Sequence, residues 1–187
     1  MRLLLTRHGE TLENKKGLLQ GQSPGTLSEE GIEQAEKLAL RLKDEKIDAI
    51  YSSDLARAAD TARIIAKYHH VPVYFVKELR EVDLKDLTGK AYPLDWHNPP
   101  MSIESPESMY NRAKKLIDTA YHKHKDGTVL FVGHGSINRA IIAIAHNKDA
   151  SHITSFDIHH NTALSIFEIS ETNDHKVHLM NSKKHLE

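Results

Sequence analysis

The chain has 187 residues, 39% hydrophobic and 27% charged, enough to bury one substantial core and short for two, so a single domain over 1–187 is expected. A formal net charge of -1 excludes the basic stripe that nucleic-acid binding needs, and the lack of cysteine excludes disulfides, thiolate metal sites and a cysteine nucleophile. No apolar run reaches the roughly 20 residues of a membrane span, and Met1–Leu5 is too short for a secretion signal, so no membrane partner and a cytoplasmic location are expected.

In chain order, Leu3-Leu4-Leu5 reads as a buried strand that empties into Thr6-Arg7-His8-Gly9-Glu10. Ser28 is placed to cap a helix whose apolar positions are Ile32, Ala35, Leu38, Ala39 and Leu42. A short strand over Ile47–Tyr51 follows and ends at Ser52-Ser53. Asp54 then stands as the cap of a helix with the stripe Leu55, Ala58, Ala62, Ile65 and Ala66. Val73–Val76 reads as a third strand. From Glu78 to Pro106 the pattern dissolves into charge and proline, which predicts a loop or small lid at about 82–106, with Trp96 a candidate to cover a ligand.

Regular structure resumes at Ser105-Pro106, a helix start with proline at a tolerated early position. Met109, Ala113, Leu116, Ile117 and Ala120 carry that helix toward Lys125. Thr128–Val132 is a second fully apolar strand. It runs into Gly133-His134-Gly135 and a periodic stretch from Ile137 to Ala145. Ala163–Ile169 alternates as a late strand, and Lys176–Asn181 pairs with it as a hairpin. Repeated strand-helix alternation predicts an α/β fold of three layers, α/β/α, with a mostly parallel sheet and helices on both faces.

The chemistry gathers at strand ends, where open α/β sheets bind their ligands. Arg7 and His8 leave one strand, His134 another, and the loop Tyr51-Ser52-Ser53-Asp54-Leu55-Ala56-Arg57 returns a second arginine within the first turn of its helix. Guanidinium forks and free helix N–H groups are what a phosphate group requires.

Several segments, in order, resemble the histidine phosphatase superfamily in its phosphoglycerate-mutase-like branch. They are Arg7-His8-Gly9-Glu10-Thr11 with Asn14, Tyr51 through Ala58 with Thr61-Ala62, Leu79-Arg80-Glu81, and Gly133-His134-Gly135 with Arg139-Ala140. The likeness runs from residue 1 to about 169. It implies the three-layer fold, with His8 as the nucleophile that accepts the phosphoryl group, Glu81 as proton donor and acceptor, and His134 as a third catalytic group. It further implies substrate contacts from Arg7, Asn14, Gln20, Gly21, Arg57 and Gly135. The expected activity is hydrolysis of a small phosphomonoester through phosphohistidine, with no metal or other cofactor, since arginines, imidazole and backbone N–H groups supply the positive charge.

Members of the family often follow Leu-Arg-Glu with an aromatic-Gly-x-Trp-x-Gly run, whereas here Glu81 precedes Val82-Asp83-Leu84-Lys85-Asp86-Leu87-Thr88-Gly89. A solvated charged loop and a phospho-ligand-binding module without turnover are the competing expectations, and Asp83 is the alternative carboxylate. The stretch between Gly89 and Glu104 is short for enclosing a mutase substrate, which favours a phosphatase over mutase-type transfer. The 14 histidines do not make a metal site: His122 and His124 face apart on a helix, and His69-His70 and His159-His160 are adjacent pairs.

Overall fold

Strand β1 (Arg2–Arg7) buries its four inner residues and lies parallel to β4 (Thr128–Gly133), with Arg7 opposite Gly133. In the computed structural model, which describes residues 1–91, 100, 102–172 and 174–187, these two strands form the middle of a six-stranded sheet ordered β3-β2-β4-β1-β5-β6. Strands β2 (Ala49–Ser53) and β3 (Val73–Val76) extend the parallel part. The antiparallel hairpin of β5 (Leu164–Glu168) and β6 (Lys176–Ser182) closes the other edge against β1. The sheet is thus mostly parallel, as the alternation predicts.

Helices cover both faces because each central strand is apolar on both sides. Leu4, Ile50, Leu130 and Val132 point to one face, where they pack with Leu38 and Leu42 of α2 (Glu29–Leu42) and with Ala58, Ala62 and Ile65 of α3 (Ala56–Ala66). Leu3, Leu5, Tyr51, Val129 and Phe131 point to the other face and meet Met109, Ala113 and Leu116 of α4 (Pro106–Lys123) and Ile137 and Ile141 of α5 (Gly135–Ala145). The chain moves outward from β1 to β2 and β3, then returns through α4 to insert β4 between β2 and β1. This reversal opens the crevice at the carboxyl ends of the central strands.

Several local expectations shift. The second strand lies two residues later than Ile47–Tyr51, at Ala49–Ser53. Ile32 is 41% exposed; the α2 position that turns inward is Gly31, at which a Cβ would sit 1.9 Å from the Glu10 carbonyl oxygen. Asp54 does not cap α3, whose N-cap is Leu55 without a side-chain bond. It instead receives both ends of the Arg80 guanidinium, at 2.7 and 2.6 Å. Ser28 and Ser105 do cap α2 and α4, accepting from Gly31 N–H at 3.0 Å and Ser108 N–H at 3.2 Å. The region from 77 onward contains two short 3-10 turns, Lys77–Leu79 and Lys85–Leu87; Trp96 and the middle of the expected lid, 92–99 and 101, lie outside the described residues. Among the described residues no helix is long and apolar enough to cross a membrane.

Candidate active site

Because Arg7 pairs in register with Gly133, the residues that follow them leave the sheet side by side. The His8 and His134 rings stand 5.1 Å apart, inclined at 55°, and both side chains are buried. His8 Nδ1 lies 2.7 Å from its neighbour's carbonyl, Gly9 O. That carbonyl only accepts, so Nδ1 carries the hydrogen and Nε2 keeps a lone pair. Gly9 is required here: a Cβ would lie 2.3 Å from Gly31 O, where the two backbones meet.

Arg7 lines the cleft beside His8, and the buried Arg57 approaches Nε2 directly. Arg57 Nε is 3.3 Å from it, while the rest of that guanidinium grips the 20–25 loop: Nη1 donates to Ser23 O at 2.5 Å and Pro24 O at 3.3 Å, and Nη2 to Gly21 O at 2.8 Å. An arginine of this kind is expected at the surface, yet Arg57 is only 1% exposed. Arg7 donates from Nη1 to His159 O at 3.0 Å, and its buried Nε has no partner among the described residues. Both ring nitrogens of His134 are likewise buried without a partner among the described residues.

Burial, reinforced by Arg57 and Arg7, holds the His8 imidazolium pKa well below its ordinary value. Burial, followed by Arg57 and His8, does the same to His134. Both histidines are therefore neutral at pH 7. Burial pushes Arg57 down to about 10, which leaves it charged.

Glu81 enters from the far side, at the N-terminus of α5. Its Oε1 accepts from Ser136 N–H at 3.0 Å, Ile137 N–H at 3.4 Å and its own neighbour Val82 N–H at 2.9 Å; Oε2 lies 3.2 Å from Ser136 N. The Ser136 and Ile137 amides are orphan donors of a helix that has no side-chain cap of its own. Glu81 is thus not part of a solvated charged loop. The alternative carboxylate, Asp83, pairs with Lys85 and does not line the cleft.

Of the nine residues assigned catalytic or substrate-binding roles in the sequence, all but His134 line one open cleft: Arg7, His8, Asn14, Gln20, Gly21, Arg57, Glu81 and Gly135. His134 lies beside it, against His8. Leu18, Leu19, Val82, Leu84, Ser136 and Ile158 complete the wall. Asn14 spends its carbonyl on Thr11 N–H, 3.2 Å away, in the cap of α1 (Leu12–Lys15).

Sequence reasoning missed the layer behind these groups. Asn138 Nδ2 donates to Thr6 O at 3.0 Å, and His159 connects Asn138 (3.3 Å) to Ser165 Oγ (2.7 Å) while its carbonyl holds Arg7. Asn161 Nδ2 donates to His8 O at 2.9 Å. The visible signal was Asn138, a polar residue in the first half of a helix that runs wholly apolar from Ala140 to Ala145. Among the described residues no group of His, Cys, Asp or Glu could hold a metal ion.

Residues 3–183 match the sequence profile of the histidine phosphatase superfamily, branch 1. The chain belongs to this superfamily. The metal-independent phosphoserine phosphatase of Arabidopsis thaliana is 37% identical over 157 residues, covering 74% of this chain and 66% of that protein. An adenosylcobalamin/α-ribazole phosphatase from Salmonella typhimurium is 31% identical over 173 residues, 84% of this chain and 86% of its own length. The solved structure of Bacillus stearothermophilus YhfR, 28% identical, superposes with a TM-score of 0.90 over 100% of this chain and 99% of that one. The order β3-β2-β4-β1 with an antiparallel hairpin at its edge is therefore the superfamily's architecture in this chain, and its two strand-end histidines sit where that architecture opens.

Proposed function

We propose that the protein is a phosphomonoester hydrolase that works through a phosphohistidine on His8, with the whole chain, 1–187, acting as one catalytic domain. The observation that carries this reading is the state of His8: a buried neutral ring whose Nδ1 is tied to Gly9 O and whose Nε2 meets Arg57, with Arg7 lining the same cleft. A phosphate monoester docked between Arg7, Arg57 and His134 meets that lone pair in line. Gly135 N–H, the Asn14 amide, Gln20 and Gly21 complete the surroundings of the phosphoryl oxygens and the ester oxygen.

Nε2 forms the bond to phosphorus as the ester P–O bond breaks, and the alcohol oxygen takes a proton from Glu81. Oε1 takes three N–H donors and Oε2 only the longer of the two Ser136 contacts, so Oε2 is the oxygen better placed to carry that proton. Water then attacks the phosphorus of phosphohistidine and gives its proton back to Glu81 as the P–N bond breaks. Inorganic phosphate leaves, and the Nε2 lone pair is restored. Arg7, Arg57 and neutral His134 spread their donors over the equatorial oxygens, where phosphoryl transfer concentrates its charge.

The placement of Glu81 in the cleft supports turnover over mere ligand binding. The short chain between Gly89 and Glu104 supports hydrolysis over mutase-type transfer. The substrate is a small phosphorylated metabolite, of the kind for which the phosphoserine and α-ribazole phosphatases are named. Rapid quenching during turnover of a radiolabelled phosphomonoester is expected to trap acid-labile, alkali-stable label on His8, absent from H8A. Label on any other residue, or turnover in H8A, overturns the reading.

A further inference from the structure

Arg112 projects from α4 toward the segment that carries Glu81, and its guanidinium leaves no donor unused. Nη1 donates to the carbonyls of Glu78 and Arg80, both at 2.7 Å. Nη2 donates to Glu81 O at 3.3 Å and to Glu104 Oε2 at 2.9 Å, and Nε donates to Glu104 Oε1 at 2.7 Å. That is all five N–H groups of an arginine, three on the backbone of 78–81 and two in a fork on one carboxylate.

Glu104 is bound into the same unit. Its backbone N–H donates to Asp83 O at 2.9 Å, and its Oε2 accepts from Asp83 N–H at 3.2 Å, so the segment is held on both sides of Glu81. The side chains of Arg112 and Glu104 are only 18% and 12% exposed. Burial pushes the Glu104 carboxyl up, and the Arg112 fork and charge outweigh it, leaving Glu104 below the usual carboxylate range. Gln22 Nε2 adds a further donor to Glu81 O at 3.2 Å.

We infer that Arg112, locked to Glu104, is a positioning residue for proton transfer: it fixes the backbone from 78 to 83 so that the Glu81 carboxyl reaches the departing alcohol. The inference rests on the role proposed for Glu81. It also accounts for how this chain holds that residue without the aromatic-glycine-tryptophan run that often follows it in the family. A lysine cannot replace the arginine, because an ammonium has three donors on a flexible stem and no planar fork. Arg112 itself stays behind the backbone it binds and does not line the cleft.

The test separates positioning from plain support of the fold. The value of a proton donor scales with how poorly the alcohol leaves as an anion, so kcat/KM is measured on n-butyl phosphate and on p-nitrophenyl phosphate. E81Q is expected to lose on the order of 100-fold more on the alkyl ester than on the aryl ester. R112K should show the same bias at on the order of tenfold, and R112K/E81Q should be no more biased than E81Q alone, since both act through one proton. E104Q, which breaks the fork while keeping the volume, serves where R112K folds poorly and is expected to bias the ratio in the same direction. A variant that merely unfolds part of the population lowers both substrates equally. Equal losses in R112K and E104Q beside a biased E81Q, or additive biases in the double variant, overturn the inference alone. An unbiased E81Q overturns the proton-transfer role of Glu81 and this inference with it.

Discussion

Replacing Arg57 with alanine removes a side chain that does two jobs, and the structure separates their sizes. Its Nε donor at 3.3 Å from His8 Nε2 is the group best placed to follow charge onto the phosphoryl oxygens. Loss of one such transition-state donor costs about 2.7–4 kcal/mol, a fall of roughly 100- to 1,000-fold in kcat. Its other nitrogens hold Gly21, Ser23 and Pro24 carbonyls, and each left dry and unpaired costs about 1–3 kcal/mol of stability. R57A should therefore lose kcat/KM on p-nitrophenyl phosphate by at least that factor and also unfold at lower urea. R57K keeps the charge without the fork, so it should recover part of the activity and little of the stability. The charge has a further signature. Burial is the main reason that His8 resists protonation, and Arg57 is the next. Removing it moves the protonation of His8, and with it the acidic limb of kcat/KM, to higher pH. An R57A enzyme with wild-type kcat/KM and an unmoved acidic limb would refute the assignment.

Activity should survive exhaustive dialysis against EDTA, because Arg7 and Arg57 supply the positive charge that a metal would otherwise bring; restoration of a lost activity by one divalent ion would contradict that accounting. His159 gives a prediction for stability. Burial, followed by Arg7, pushes its pKa down to about 3 from 6.5, so below pH 6.5 the unfolded chain binds a proton that the folded one refuses. Stability falls as the pH drops through that window, by roughly 2 kcal/mol at pH 5 from this residue alone. H159Q should be less stable than wild type at pH 7, having lost the Ser165 bond. Its further loss between pH 7 and pH 5, read from urea midpoints, should be smaller by about that amount. Parallel pH dependence in the two proteins would show that His159 does not titrate as described.

The strand ends were legible in the sequence because β1 and β4 are buried on both faces, and such strands print as unbroken apolar runs with their functional residues just beyond. That the two runs lie side by side in register was not legible, since adjacency is decided by the return of the chain through α4. Ile47 and Asp54 misled for a related reason. Each fits a local signal, strand start or helix cap, that a tertiary partner outbids: Asp54 finds the Arg80 fork, and backbone pairing to β3 and β4 sets the strand two residues on. Arg112 carried a signal that went unread. It lies three residues after Met109 and four before Leu116, on the buried stripe of α4, where an arginine has to find partners. The Glu81 segment has no periodicity at all, and its course comes from bonds to residues distant in sequence, Ser136, Gln22 and Arg112.

One consequence of the packing links the plainest sequence feature to the chemistry. The two arginines of the cleft are charged, and the two histidines are buried deeply enough to stay neutral, so the empty pocket offers two positive charges to a phosphate dianion. Protonating either histidine would strengthen the pull on phosphate, yet protonating His8 would remove the lone pair that the reaction needs. The low-dielectric wall of the sheet prevents that. When Nε2 bonds to phosphorus, however, the ring becomes cationic, and the carbonyl of Gly9 at 2.7 Å from Nδ1 is then a preorganised acceptor for the developing charge. Its direction is held by the contact of Gly9 with Gly31, where any larger side chain on either backbone would push the strand end away from α2. The glycine after the catalytic histidine is thus needed for the far side of the ring, while the phosphate is gripped on the near side.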